Sequence, residues 1–279
     1  MKVITYLIFI FQITLLQTYA SKDKLPSEKE FYSESVEIAL RVLKECPPQT
    51  CVPIGLGRSP SSVLAVLSIL LDDAYQLPLS NFRYNLKENG AFPNKVLSFE
   101  REERLHNHLS EFLPSEEALK GRKVLLIDYS LGGSSLFAAE TYIRRYLKKV
   151  NQQTQIASFM MLRRYTDNLE IINSVAHDQY KIKAFTAFDM SKYPVVDSYL
   201  LSSSLDQFSL YGSFDLKVDK RVRKNSKHRL LVKRVRSALN GSQELKQKFA
   251  NTLGVSLSEI ERRIGKVGLS CSLLMQGLF

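Results

Sequence analysis

Two short stretches of the chain combine residue types that can hold an anion. One is Pro53-Ile54-Gly55-Leu56-Gly57-Arg58-Ser59-Pro60 and the other is Val124-Leu125-Leu126-Ile127-Asp128-Tyr129-Ser130-Leu131-Gly132-Gly133-Ser134-Ser135. In the second, an apolar run ends in the carboxylate of Asp128 and passes through a Gly/Ser loop into a helical pattern. Glycines let backbone N–H groups turn toward an anion, serine hydroxyls add donors, and a helix N-terminus adds partial positive charge. Asp128 at a strand end can accept hydrogen bonds from sugar hydroxyls. Arg58 contributes a permanent charge and several donors suited to phosphate oxygens. In parallel sheets ligands collect at the carboxyl ends of strands. The chemistry these residues suit is retention of a phosphorylated sugar.

In this order the two stretches resemble the type I phosphoribosyltransferase family. Its members run four apolar strand residues into two adjacent acids, then into a Thr-rich phosphate loop and a helix. Here the strand is residues 124–127, the first acid is Asp128, and Tyr129 stands where the second acid belongs. The loop Gly132-Gly133-Ser134-Ser135 fits with one residue deleted or with Gly in place of Thr. Upstream, Gly57 and Arg58 occupy the place of the family's pyrophosphate loop. The likeness covers roughly residues 30–190. It implies that Asp128 is the catalytic acid position, gripping ribose hydroxyls. Gly132, Gly133, Ser134 and Ser135 would hold a monophosphate, with Gly57, Arg58 and Tyr129 completing the substrate site. The cofactor it implies is magnesium, and the ligand a phosphorylated sugar or nucleotide. Tyr129 can donate a hydrogen bond but supplies no second negative charge. Two functions therefore stand: glycosyl transfer, or binding by a protein that kept the fold and lost the reaction.

The elements that must position these residues follow from apolar spacing. Residues 33–45 have a helical period, ended by Pro47-Pro48. Residues 51–56 suit a buried strand, and Ser61 is a good cap for a buried helix over 62–71. Residues 81–86 read as a second strand, 99–112 as a charged amphipathic helix and 123–128 as the clearest strand. A helix over 136–150, a strand over 155–162, a helix over 168–180 and a strand over 180–188 complete the alternation. Such alternation implies a mostly parallel sheet with helices on both faces, an α/β fold.

The ends of the chain carry other signals. Residues 1–20 hold one charge, Lys2, then an apolar run and the small-residue exit Thr18-Tyr19-Ala20. That is the form of a secretory signal peptide, too short to span a bilayer, and it predicts a periplasmic or secreted protein. Export would put the three cysteines in an oxidising compartment. Cys46 and Cys51 bracket the turn-forming Pro47-Pro48-Gln49-Thr50, so they either form a small disulfide loop or remain two buried thiols. Cys271 is then unpaired or shares one of them.

The α/β domain is expected over residues 21–215, followed by a basic, mainly helical C-terminal extension over 216–279. Residues 217–248 hold twelve Lys or Arg against two acids, which accounts for nearly all of the formal net charge of +11. Leu230, Leu231 and Val235 recur with helical spacing, so the stretch is either an amphipathic helix with a basic face toward an anionic surface or polymer, or a solvated helix packed on the core. It contains no aromatic residue on which bases could stack. His106 and His108 do not share a helical face, and both are expected on a solvated surface, as is Asp72-Asp73. The polar run at Ser202, Ser203 and Ser204 has no nearby base in sequence. Asn240-Gly241-Ser242 fits a glycosylation acceptor.

Overall fold

The computed structural model describes residues 28–57, 59–79, 99–130, 133–163, 165–182, 185–201 and 226–266. Their order is α1 (Glu28–Glu45), β1 (Cys51–Leu56), α2 (Ser61–Leu70), β2 (Tyr75–Leu77), α3 (Phe99–Phe112), α4 (Glu116–Leu119), β3 (Lys123–Ser130) and α5 (Ser134–Lys149). There follow β4 (Ile156–Leu162), α6 (Tyr165–Ser174), β5 (Phe185–Asp189), α7 (Pro194–Leu201), α8 (Ser226–Asn240), α9 (Gln243–Leu253) and α10 (Leu257–Gly265). A single π-turn, Val175–Gln179, extends α6, and a 3-10 turn, Met190–Lys192, links β5 to α7.

The strands form one five-stranded sheet in the order β2-β1-β3-β4-β5, with every neighbouring pair parallel. Because successive side chains on a strand point to opposite faces, each strand feeds two cores. Leu125 and Ile127 of β3 join Phe159 and Met161 of β4 against α1 and α2. Val124 and Leu126 join Ile156 and Met160 against α3 and α5. Helices on both faces explain why the strands read as continuous apolar runs.

The basic stretch belongs to this body. Leu231, Val232, Val235 and Leu239 of α8 are buried in the same core as α1 and α2, while Lys233 is exposed. Helix α10 is fixed by Arg263, whose Nη1 donates to Leu70 O at 2.6 Å. Its N-cap is Ser256, whose Oγ accepts from Glu259 N at 3.2 Å, while the Glu259 carboxylate is held by Arg262 and Arg263. Among the described residues no helix is long and apolar enough to cross a membrane.

Several expectations change. The second strand is Tyr75–Leu77, and the expected 81–86 segment lies outside the described residues. The fifth strand begins at Phe185, because the π-turn and the residues after it occupy the start of the expected span. Ser61 does not cap α2: it is the first helical residue and is buried, and Pro60 stands at the N-cap. His108 is not solvated. Its side chain turns under α3 and Nε2 lies 3.0 Å from Pro78 O. Asp73 is paired with Arg122 at 2.5 Å. The expected signal peptide, Ser202–Ser204 and residues 217–225 of the basic stretch lie outside the described residues, as does Cys271.

Candidate functional site

Between β1 and β3 the direction of strand succession reverses. From β1 the chain moves outward to β2, then returns across β1 to β3 and proceeds the other way. At such a reversal the connections leaving the two strands go to opposite faces and open a crevice at the carboxyl edge. The register pairs Gly55 with Ile127, so the turn after β1 lies beside the last residues of β3. The two sequence stretches singled out for anion binding thus leave adjacent strands at one edge of the sheet.

The first turn is set by two glycines with different duties. Gly55 lies inside β1, and a Cβ there would fall 2.3 Å from Leu64 Cδ1 and 2.7 Å from Pro60 Cγ, so glycine lets α2 close on the strand. Gly57 has φ +62° and reverses the chain. Gln76, unforeseen in the sequence, pins this turn. Its Nε2 donates to Gly57 O at 2.7 Å and to Ser61 Oγ at 2.9 Å, while Gly57 N donates to Leu77 O at 2.8 Å. Among the described residues, Gln76 Oε1 and Ser62 Oγ are buried without a hydrogen-bond partner. Ser62 lies in the first turn of α2, which has no side-chain cap, and Gln76 reaches that turn from β2. Arg58 lies outside the described residues.

The second turn follows β3. Gly133 is the N-cap of α5 at φ +71°, again without a side-chain cap, and its N–H donates to Ser130 Oγ at 2.6 Å. A Cβ on Gly133 would strike Phe137 Cε2 at 2.5 Å and Met160 Cε at 2.9 Å. Ser134 is buried and Ser135 half-buried at the first turn of α5; Leu131 and Gly132 lie outside the described residues.

Asp128 and Tyr129 are neighbours in sequence that part in space. Asp128 continues the Val124–Leu126 side of β3, toward α5. Loss of water raises its carboxyl to about 8, opposed by the hydrogen bond that Tyr129 N donates to Oδ1 at 2.8 Å. At neutral pH it is therefore largely protonated and able to donate as well as accept. Tyr129 points to the other face, and its hydroxyl donates to Asp197 Oδ1 at 2.6 Å. Arg163 Nε sits 3.3 Å from Asp197 Oδ2. Burial and the Asp197 carboxylate both push the Tyr129 hydroxyl further up, so it stays protonated. The Tyr129 hydroxyl is thereby engaged by Asp197 of α7.

Magnesium can be tested against these side chains. Asp128 offers a carboxylate oxygen and Tyr129 offers none, so most of the octahedron would have to come from ligand phosphates and water, the usual manner in which this ion is held. Among the described residues no group of three or more His, Cys, Asp and Glu converges for a metal.

At the opposite, amino edge the expected cysteine pair is a disulfide, Cys46–Cys51, with Cα atoms 5.0 Å apart and both residues fully buried. Arg122 braces the same edge, donating to Pro48 O at 2.6 Å and Cys51 O at 2.7 Å while paired with Asp73. One edge of the sheet is clamped, and the other carries the glycine turns.

Comparison with protein-family models, with curated proteins and with solved structures gave no match.

Proposed function

We propose that the protein is exported and binds a phosphorylated sugar or nucleotide at the carboxyl edge of the sheet, between the turns after β1 and β3, in the manner of a divergent phosphoribosyltransferase. The observation that carries this reading is the pairing of two uncapped helix N-termini, those of α2 and α5, behind glycine turns on either side of the strand-order reversal. Each brings backbone donors and partial positive charge to the same crevice. The partnerless Gln76 Oε1 and Ser62 Oγ supply further polar atoms there. In this reading Asp128 meets the sugar hydroxyls, the Gly132–Ser135 turn holds a monophosphate, and Arg58 holds a second phosphate. Any magnesium arrives with the ligand's phosphates. The buried disulfide agrees with an exported protein, since such bonds persist outside reducing compartments.

A specific observation favours binding without glycosyl transfer. The position that the family fills with a second acid is Tyr129, and its hydroxyl is committed to Asp197 on the opposite face. The alternative in which the basic stretch alone recruits an anionic partner is less favoured, because the apolar side of α8 is consumed by the core.

Calorimetric titration of the full chain with phosphoribosyl pyrophosphate, with and without magnesium, tests the reading. Binding is expected, weakened about tenfold or more by Asp128→Asn, the loss of one charge-assisted or neutral sugar contact. Absence of binding to phosphoribosyl pyrophosphate, ribose 5-phosphate and AMP alike would overturn it.

A further inference from the structure

A second cavity lies away from the glycine turns, between α1, the end of β5 and α9. Its volume is about 490 Å3, within the roughly 300–1,000 Å3 of small-molecule sites. One wall is a single stripe of α1, in which Glu37, Leu40, Arg41 and Lys44 recur at the three- and four-residue spacing that stacks side chains on one helical face. Lys192, from the 3-10 turn, and Lys248, from α9, complete a ring of four cations drawn from three separate elements. The lining carboxylates are Glu37 and Asp189. Asp189 is already used, accepting from Ser191 N at 2.9 Å. Lys248 is shared with Glu244 at 2.8 Å. Among the described residues no carboxylate lies within 4 Å of the cationic nitrogens of Arg41, Lys44 or Lys192. Three cations thus face one space without a direct ion pair, and Glu37 is the carboxylate that shares it, acting through space on Lys248 and Tyr193.

The lining also holds two aromatic residues that are fixed in place. Fully buried Phe159 stacks on Phe188 at 5.5 Å, and Phe188 meets Tyr193 at 5.2 Å. Phe188 and Tyr193 are half-buried residues of the cavity lining. The anchored rings offer a planar group a surface whose order does not have to be created on binding. A lining that holds both cations and rings matches a ligand with an anionic end and a flat apolar end.

We propose that this cavity is a separate binding site for an aromatic phosphate of nucleotide size, its phosphates held by Arg41, Lys44 and Lys192 and its ring laid on Phe188 and Tyr193. None of these residues belongs to the crevice at the β1 and β3 turns, and the site stands whether or not that crevice binds a sugar phosphate.

Titration of the full chain with ADP, inorganic pyrophosphate and adenosine tests it, each measured also on Arg58→Ala and on Arg41→Glu/Lys192→Glu. These last two side chains are exposed, and a thermal melt checks that the double variant remains folded. ADP is expected to bind more tightly than either fragment. The charge reversal should weaken ADP about tenfold or more, by loss of two charge-assisted contacts, while Arg58→Ala leaves this binding in place. No ADP binding, equal affinity for pyrophosphate, indifference to the charge reversal in a folded protein, or loss of all ADP binding in Arg58→Ala would each overturn the proposal. Loss of the β1–β3 crevice site alone would appear as Arg58→Ala reducing the ADP stoichiometry without abolishing binding.

Discussion

Asp128 is held in its fold at a cost. Desolvation lifts its carboxyl to about 8 from an ordinary value of 3.8, so the folded chain keeps a proton that the unfolded chain releases between those values. Folding stability from this group therefore falls as pH rises from about 4 to about 8. His108 has the opposite sign. Burial lowers it from 6.5 to about 4, so the unfolded chain binds the extra proton and stability is lost as pH falls through that interval. Urea melts against pH should show both limbs. Asp128→Asn should flatten the alkaline limb and stabilise the protein at pH 8 by about 1–2 kcal/mol, a value reduced for the partial exposure of the strand end. His108→Leu should flatten the acid limb, provided that the loss of the Pro78 contact is measured separately at pH 8. Gly133→Ala should cost about 2–4 kcal/mol, the sum of a left-handed non-glycine residue and a methyl group driven into Phe137 and Met160. An unchanged melting midpoint in that variant would contradict the turn geometry.

At the scale of elements, the sheet is asymmetric from edge to edge. The amino edge is tied by the disulfide and by Arg122, which joins the 46–51 turn, α4 and Asp73. Arg122→Ala should cost about 2–3 kcal/mol, because it leaves buried carbonyls unmet and a carboxylate unpaired. Reduction of Cys46–Cys51 should cost about 2 kcal/mol by the chain-entropy estimate for so short a loop. Denaturant midpoints read both. Much of this frame was legible in the chain: β1, β3, β4 and the helices around them have uninterrupted apolar runs or clean helical periods. What escaped was set by tertiary contacts that leave no periodic mark. Tyr75–Leu77 is only three residues long and becomes a strand through its ladder to Ile54–Leu56. Nothing in its local sequence marks Glu140 as fully buried, where it accepts from Arg144 Nη2 at 2.6 Å and Ser158 Oγ at 2.5 Å. The resemblance puts Tyr129 at the family's second acid position, and no pattern in the chain announces the hydrogen bond that its hydroxyl makes with Asp197, 68 residues on.

For the whole molecule, the described part of the charged stretch packs into the core. Four apolar residues of α8 lie against α1 and α2, and α10 closes over Leu70. Truncation near residue 216 should therefore expose the α1–α2 face and leave an aggregation-prone protein, not a trimmed domain; size-exclusion chromatography of the truncated chain reads this directly. The strand-order reversal and the ring of cations beside β5 are likewise properties of the assembled molecule. No local motif announces Arg41, Lys192 and Lys248 as neighbours, since they come from three distant segments.

In the proposed function the turns after β1 and β3 form one anion crevice. Backbone amide shifts of the isotope-labelled full chain, followed by NMR during titration with phosphoribosyl pyrophosphate, test it most directly. Concerted shifts are expected at Gly57, Ser62, Gly133, Ser134 and Ser135, saturating together. Shifts confined to only one of the two turns, or absent from both, would contradict it.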